Sequence, residues 1–176
     1  MMKTLEKYSA LRIALHWLMV LLVVGVYAAI NLSDFFPKGS SARDGLKTWH
    51  YMLGLSVLTL VLLRALARWA QPGPPELPGP DWQLWLARAI HWGLYVFMIG
   101  MPLAGWLILS TAGKPVPFFG FELPALLGPD KALSKQIKDV HEAVATIGYF
   151  VIGLHAAAAL FHHYVLKDNT LRRMWR

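Results

Sequence analysis

At 176 residues the chain is of single-domain length, but 56% hydrophobic residues against 15% charged is too apolar for an ordinary soluble domain. The absence of cysteine excludes disulfides, iron–sulfur clusters, zinc–thiolate sites and covalent haem attachment through a Cys-x-x-Cys-His sequence. The net charge of +7 suits anionic lipid at least as well as nucleic acid, and no Gly-rich phosphate loop or aromatic RNA-binding motif supports a nucleic-acid partner.

Four segments have the length and apolarity of membrane spans, about 20 residues each. The first covers about 11–30, with Arg12 and His16 near its start; its apolar run is too long for a signal peptide and lacks an Ala-x-Ala cleavage pattern. A connection over 31–47 contains Pro37 and Gly39. The second span, about 48–67, begins near His50 and ends near Arg64. The stretch QPGPPELPGPD at 71–81 is too rich in proline to be helical. The third span, about 86–109, carries His91 and is interrupted by Pro102. A long connection over 110–138, dense in Gly and Pro, is positioned to cover one end of a bundle. The fourth span, about 140–166, holds His141, His155, His162 and His163. The expected architecture is a single integral-membrane domain over 1–176: all-α, a four-helix transmembrane bundle.

Lys and Arg near span ends set the orientation. The N-terminus, second connection and C-terminus with their flanks carry Lys3, Lys7, Arg12, Arg64, Arg68, Arg88, Lys167, Arg172, Arg173 and Arg176. Every arginine except Arg43 lies in that set, which predicts cytoplasmic termini.

With that orientation the histidines sort by depth. His141 and His155 are fourteen residues apart, almost four whole turns, so both project from nearly one face, roughly 21 Å apart along the axis. His16 then matches the depth of His155, and His50 that of His141. Two tiers of paired imidazole on different helices suit bis-histidine ligation of two b-type haems, since iron needs one axial nitrogen from each side of the ring. Zinc is the rival, but it usually wants three or four protein ligands and each tier assembles two. Lone intramembrane histidines also serve simply as interhelical hydrogen-bond partners. Gly148 lies midway between His141 and His155 and Gly54 one turn beyond His50, where either a flat macrocycle or a neighbouring helix can approach. His162 extends the stripe by seven more residues to the interface, where it can meet a quinone or anchor the helix end, with Trp17 as a stacking wall. His163 points about 100° away, towards solvent. His91 fits a spare ligand, a quinone or propionate partner, or a packed core histidine.

The segments KYSALRIALHWLMVLLVVGVYAA, WHYMLGLSVLTLVLLRALAR and above all VHEAVATIGYFVIGLHAAAALFHHYVLKDNTLRRM resemble the bacterial cytochrome b561 family, over Tyr8 to Met174. The resemblance implies a di-haem b protein of the bacterial inner membrane, with haem ligands at His16, His50, His141 and His155, the four that depth pairing selects. Its superoxide:ubiquinone oxidoreductase branch is the most similar. That branch implies superoxide as donor on the periplasmic side and ubiquinone as acceptor near the cytoplasm, with His162 at the quinone position. Lys47, Lys135 and Lys138, close to the outer ligands in sequence, can then attract superoxide or be ordinary solvated lysines. The alternatives are an electron-carrying membrane anchor for a hydrogenase or dehydrogenase partner, a quinol-linked shuttle to a periplasmic redox protein, and a colourless transporter with a His and Arg proton relay.

Overall fold

The computed structural model describes residues 7–175; Lys3 and Arg176, counted above for orientation, lie outside them. Four helices dominate: α1 Ala10–Ser33, α2 Ser41–Ala70, α3 Asp81–Thr111 and α4 Lys131–Tyr164. Their 24 to 34 residues correspond to about 36–51 Å at 1.5 Å per residue, longer than a hydrocarbon core of about 30 Å. All four are long and apolar enough to cross a membrane, as the composition predicts. Large apolar side chains such as Leu21, Val96, Ile147 and Phe150 face outward, the arrangement lipid favours.

The starts of α1, α2 and α4 carry side-chain caps. The Ser9 hydroxyl accepts from Arg12 N–H, that of Ser40 from Arg43 N–H, and the Asp130 carboxylate from Ala132 and Leu133 N–H. These caps place α2 and α4 well ahead of the apolar spans expected at 48 and 140. Charged residues end an apolar run but not a helix, so Lys135, Lys138 and Asp139 lie on α4 itself. Pro102 is buried within a continuous α3 rather than ending it. The proline-rich stretch between α2 and α3 forms no regular structure, and Pro80 caps α3.

Packing is uneven. α1 lies along α2, α2 along α3, and α3 along α4, whereas α4 has at most glancing backbone contact with α1 and α2. Met19, Val57, Leu60 and Val61 form the core between α1 and α2, with Tyr95 and Ile99 of α3 against it. α1 reaches α4 through side chains instead: the Tyr27 hydroxyl donates to Ala145 O at 2.8 Å, and Asn31 Nδ2 to the Tyr149 hydroxyl at 2.6 Å.

The two ends are built differently. At the end away from the termini (the loop end), β1 Val116–Phe118 and β2 Phe121–Leu123 form an antiparallel hairpin with Val116 opposite Leu123. Its two-residue turn has positive φ at both Phe119 (45°) and Gly120 (88°), the primed geometry that matches strand twist. Val116 packs on Leu55 and Leu109, seating the hairpin over α2 and α3. The long connection is therefore a structured cap, as its position suggests. Asp130 N–H to Thr111 O (2.8 Å) and Ser134 Oγ to Ile108 O (3.1 Å) tie the start of α4 to the end of α3. At the opposite end (the termini end), residues after α4 fold back as a strap ending in a 3-10 turn at Arg172–Met174. Trp17 Nε1 donates to Met174 O (2.8 Å), Tyr8 N–H to Arg173 O (3.2 Å), and Arg173 Nη1 to Pro75 O (2.6 Å), binding strap, chain start and proline-rich connection together.

Candidate functional site

The two histidine pairs foreseen by depth meet. His16 of α1 and His155 of α4 have ring centres 6.4 Å apart at an interplanar angle of 75°. His50 of α2 and His141 of α4 are also 6.4 Å apart, at 77°. A metal–imidazole bond of about 2 Å plus about 1 Å from nitrogen to ring centre, doubled, comes to about 6 Å. Both pairs match that span, and each joins two helices whose backbones stand apart. Among the described residues no three His, Cys, Asp or Glu side chains converge in a set able to hold an ion. Two imidazoles per tier suit a group that brings its own equatorial nitrogens, as haem does.

Hydrogen bonds distinguish the tiers. His50 Nδ1 donates to Val26 O at 3.0 Å, which orients the ring and leaves the Nε2 lone pair free, the usual support for a metal-binding histidine. His141 Nδ1 is buried with no partner among the described residues, while its Cε1 lies 3.8 Å from where a Cβ on Gly105 would stand. At His16 the polarity is reversed. Arg64 Nη1 lies 2.9 Å from His16 Nδ1, and a guanidinium can only donate. Neutral His16 then carries its hydrogen on Nε2, and offers a lone pair there only once Arg64 turns to another partner.

The third imidazole of the lower tier, the His16–His155 pair nearer the termini end, is His91, with its ring centre 5.4 Å from that of His155. That separation is shorter than the span across a ligated metal, so His91 touches His155 directly rather than forming a pair of the same kind. A cavity of about 220 Å³ opens here, lined by Arg12, His16, Arg64, Arg68, His91 and His155, with Thr170, Leu171 and Met174 of the strap closing it. Its arginines can receive carboxylates such as haem propionates. A second hollow of about 530 Å³, among Lys114, Glu122 and Pro129 in the long connection, is lined by none of the paired histidines.

The glycines divide. A Cβ on Gly148 would stand 2.5 Å from the Phe97 ring and against the Tyr27 hydroxyl, so neighbouring helices, not open space, require glycine there. Gly25 is likewise met by Leu53, at 3.2 Å, while none of the described residues comes within 4 Å of a Cβ on Gly54 or Gly153.

His162 is half-buried and donates from Nδ1 to Asp168 Oδ2 at 2.5 Å. Asp168 Oδ1 accepts from Thr170 N–H at 2.8 Å. Burial works to raise the Asp168 pKa, but the hydrogen bonds from His162 and Thr170 outweigh it and hold the carboxyl below its usual value. Sequence reasoning missed Asp168 as a partner, although the Lys-Asp-Asn run beyond the histidines was its signal. His163 is half-buried rather than fully solvated: its Nδ1 is buried, and its ring lies 4.8 Å from that of its neighbour Tyr164. Trp17 stands edge-on to His16 at 5.4 Å and to Trp175 at 5.3 Å, its indole N–H already engaged by the strap.

Of the three lysines near the loop-end tier, Lys47 is half-buried and Lys135 exposed. Lys138 forms an i,i+4 ion pair with Glu142 at 2.6 Å, both more than half exposed. Such a pair contributes only about 0.3–0.5 kcal/mol, but it cancels most of the Lys138 charge towards an approaching anion.

A family model described as prokaryotic cytochrome b561 matches residues 7–176. Cytochrome b561 homolog 1 of Escherichia coli is 39% identical over 171 residues, 97% of either chain. Probable superoxide oxidase CybB of Yersinia pestis is 41% identical over 170 residues, 96% of either chain. Cytochrome b561 homolog 2 of Escherichia coli is 32% identical over 178 residues, 97% of this chain and 92% of its own.

Proposed function

We propose, from the premise that the chain belongs to the prokaryotic cytochrome b561 family and is a multi-pass bacterial membrane protein of transmembrane electron transfer, that it oxidises superoxide at the loop end and reduces ubiquinone at the termini end. The balanced reaction converts two superoxide anions, one ubiquinone and two protons into two dioxygen molecules and one ubiquinol. The observation that carries the reading is the equal 6.4 Å spacing of the two imidazole pairs at opposite ends of α4. The relative named as a probable superoxide oxidase supports the choice of donor. The excess of arginine at the termini end supports cytoplasmic termini in the bacterial inner membrane, with the loop end periplasmic.

His16 with His155, and His50 with His141, would each hold one haem b; when bound, haem supplies the one-electron carriage between the two ends. The protein supplies the rest. Val26 orients His50, and Arg12, Arg64 and Arg68 gather positive charge around the lower tier. The hairpin and its flanking connection shape access to the loop end, where Lys47 and Lys135 raise the encounter rate of a small anion. His162 and Trp17 mark the quinone approach at the other end.

The deciding experiment is an absorption spectrum of purified protein followed by stopped-flow mixing with superoxide, with and without ubiquinone. Reduced b-type bands appearing on mixing and decaying faster with ubiquinone are expected. A colourless protein, or haems that superoxide leaves oxidised, would sink the proposal.

Electrostatics at the loop end can be tested separately. Glu142→Gln, which releases Lys138, is expected to raise the bimolecular rate with superoxide by about twofold to threefold at low salt, and Lys135→Glu to lower it similarly. Both effects should fade at high ionic strength, where the screening length shrinks to about 3 Å at 1 M salt. Salt-independent changes would point to structural damage.

A further inference from the structure

Immediately after α4 the chain reverses through Lys167, which holds φ at +52°, a left-handed conformation uncommon for a residue other than Gly or Asn. Asp168 N–H then donates to His162 O at 3.1 Å, and the Asp168 side chain returns to His162 Nδ1. Thr170 closes the loop by donating its N–H to the same carboxylate, its hydroxyl standing 3.4 Å from His162 Nδ1. Thr170 also lines the cavity at the His16–His155 tier, so the residue that holds the Asp168 carboxylate borders that cavity. A left-handed residue with such an N–H bond back to the last turn is a common helix ending; what is added here is the return of a carboxylate to the His162 ring.

We infer that Asp168 is a positioning residue that holds His162 with its hydrogen on Nδ1, making His162 Nε2 the proton donor and acceptor for the quinone oxygen at the termini end. This rests on the quinone half of the proposed function. As an ionised carboxylate Asp168 can only accept, so Nδ1 must carry the hydrogen and Nε2 is the nitrogen left to exchange. When the quinone oxygen gains electron density, protonated Nε2 passes its proton to that oxygen. His162 becomes neutral with Nδ1–H still on Asp168, and Nε2 regains a proton from water, which reaches the partly exposed ring. Two such transfers accompany the two electrons that make one quinol. The cationic cavity lining, with Arg12 of α1 and Arg64 and Arg68 of α2, favours an oxygen that is gaining negative charge. The design follows that of other carboxylate–imidazole couples, where the carboxylate fixes tautomer and orientation rather than transferring the proton itself.

The test pre-reduces the haem-loaded protein with dithionite and mixes it with a short-chain ubiquinone, so the identity of the natural donor plays no part. Asp168→Asn is expected to slow haem reoxidation at least about tenfold, the lower range of general acid–base contributions. It should also raise the solvent deuterium isotope effect of that phase and leave the reduction phase and haem spectrum unchanged. Asp168→Glu should recover most of the rate. Independently of turnover, ¹⁵N-histidine NMR of the unsubstituted protein should show His162 protonated at Nδ1. Neutral His162 with its hydrogen on Nε2 would overturn the inference, and so would Asp168→Asn reoxidising within twofold of the parent with no change in isotope effect. A parent protein that ubiquinone fails to oxidise would instead sink the quinone reading, and the relay with it.

Discussion

His155→Ala is expected to purify with about half the haem of the unsubstituted protein and to reduce quinone at least about a hundredfold more slowly, while superoxide still reduces the haem that remains. The asymmetry follows from placement. His155 faces His16 near the termini end, whereas the loop-end pair of His50 and His141 shares no side chain with it. Loss of a group that merely supports a ligand changes metal affinity by about 10–100-fold, and loss of the ligand itself exceeds that. Haem content by pyridine haemochrome assay and two-phase stopped-flow kinetics read the two halves separately. Retention of both haems with an unchanged spectrum would refute the ligand assignment. His91, already in contact with His155, makes a second readout necessary. If His91 substitutes as ligand, the haem stays but its spectrum shifts, and His91→Ala combined with His155→Ala then removes it.

Gly148→Ala is the substitution expected to damage the scaffold most for its size. The new methyl would overlap the Phe97 ring of α3 and the Tyr27 hydroxyl of α1, and the latter is held by its bond to Ala145 O. Overpacking of this kind costs about 1–3 kcal/mol and forces helices apart. Because α1 and α4 meet mainly through such side chains, displacement of Tyr27 should loosen both tiers, seen as a lower thermal midpoint in detergent and weaker haem retention. Gly153→Ala is the control. Nothing lies within 4 Å of its added Cβ, so it should be neutral or gain up to about 1 kcal/mol from helix propensity. Adding Tyr27→Phe to Gly148→Ala should recover part of the loss. Equal midpoints for the two alanine variants would rule out the close approach described here.

The depth pairing of histidines was legible because it needs only the helical rise and the span boundaries. His141 and His155 sit on one long helix, and topology alone decides that His16 and His50 share their levels. Helix ends were less legible. Lys131 to Asp139 interrupts the apolar pattern but continues the helix, since the Asp130 cap, rather than hydropathy, sets its start. His91 was beyond sequence reasoning because its direction depends on how α3 is rotated about its axis, and that rotation is set by packing against α2 and α4. Lys138 looked like one of three equivalent cations until its i,i+4 neighbour Glu142 was seen to bind it.

The chain alone dictated four apolar rods, their alternation across lipid and the level of each imidazole, because apolarity and helical period are one-dimensional properties. Only the assembled bundle decided which imidazoles touch, that α4 stands off α1 and α2 while lying along α3, and that Asp168 returns to His162. Those outcomes depend on the angle each helix presents to its neighbours and on one left-handed residue at Lys167, both set by contacts between segments far apart in the chain or by the turn they close.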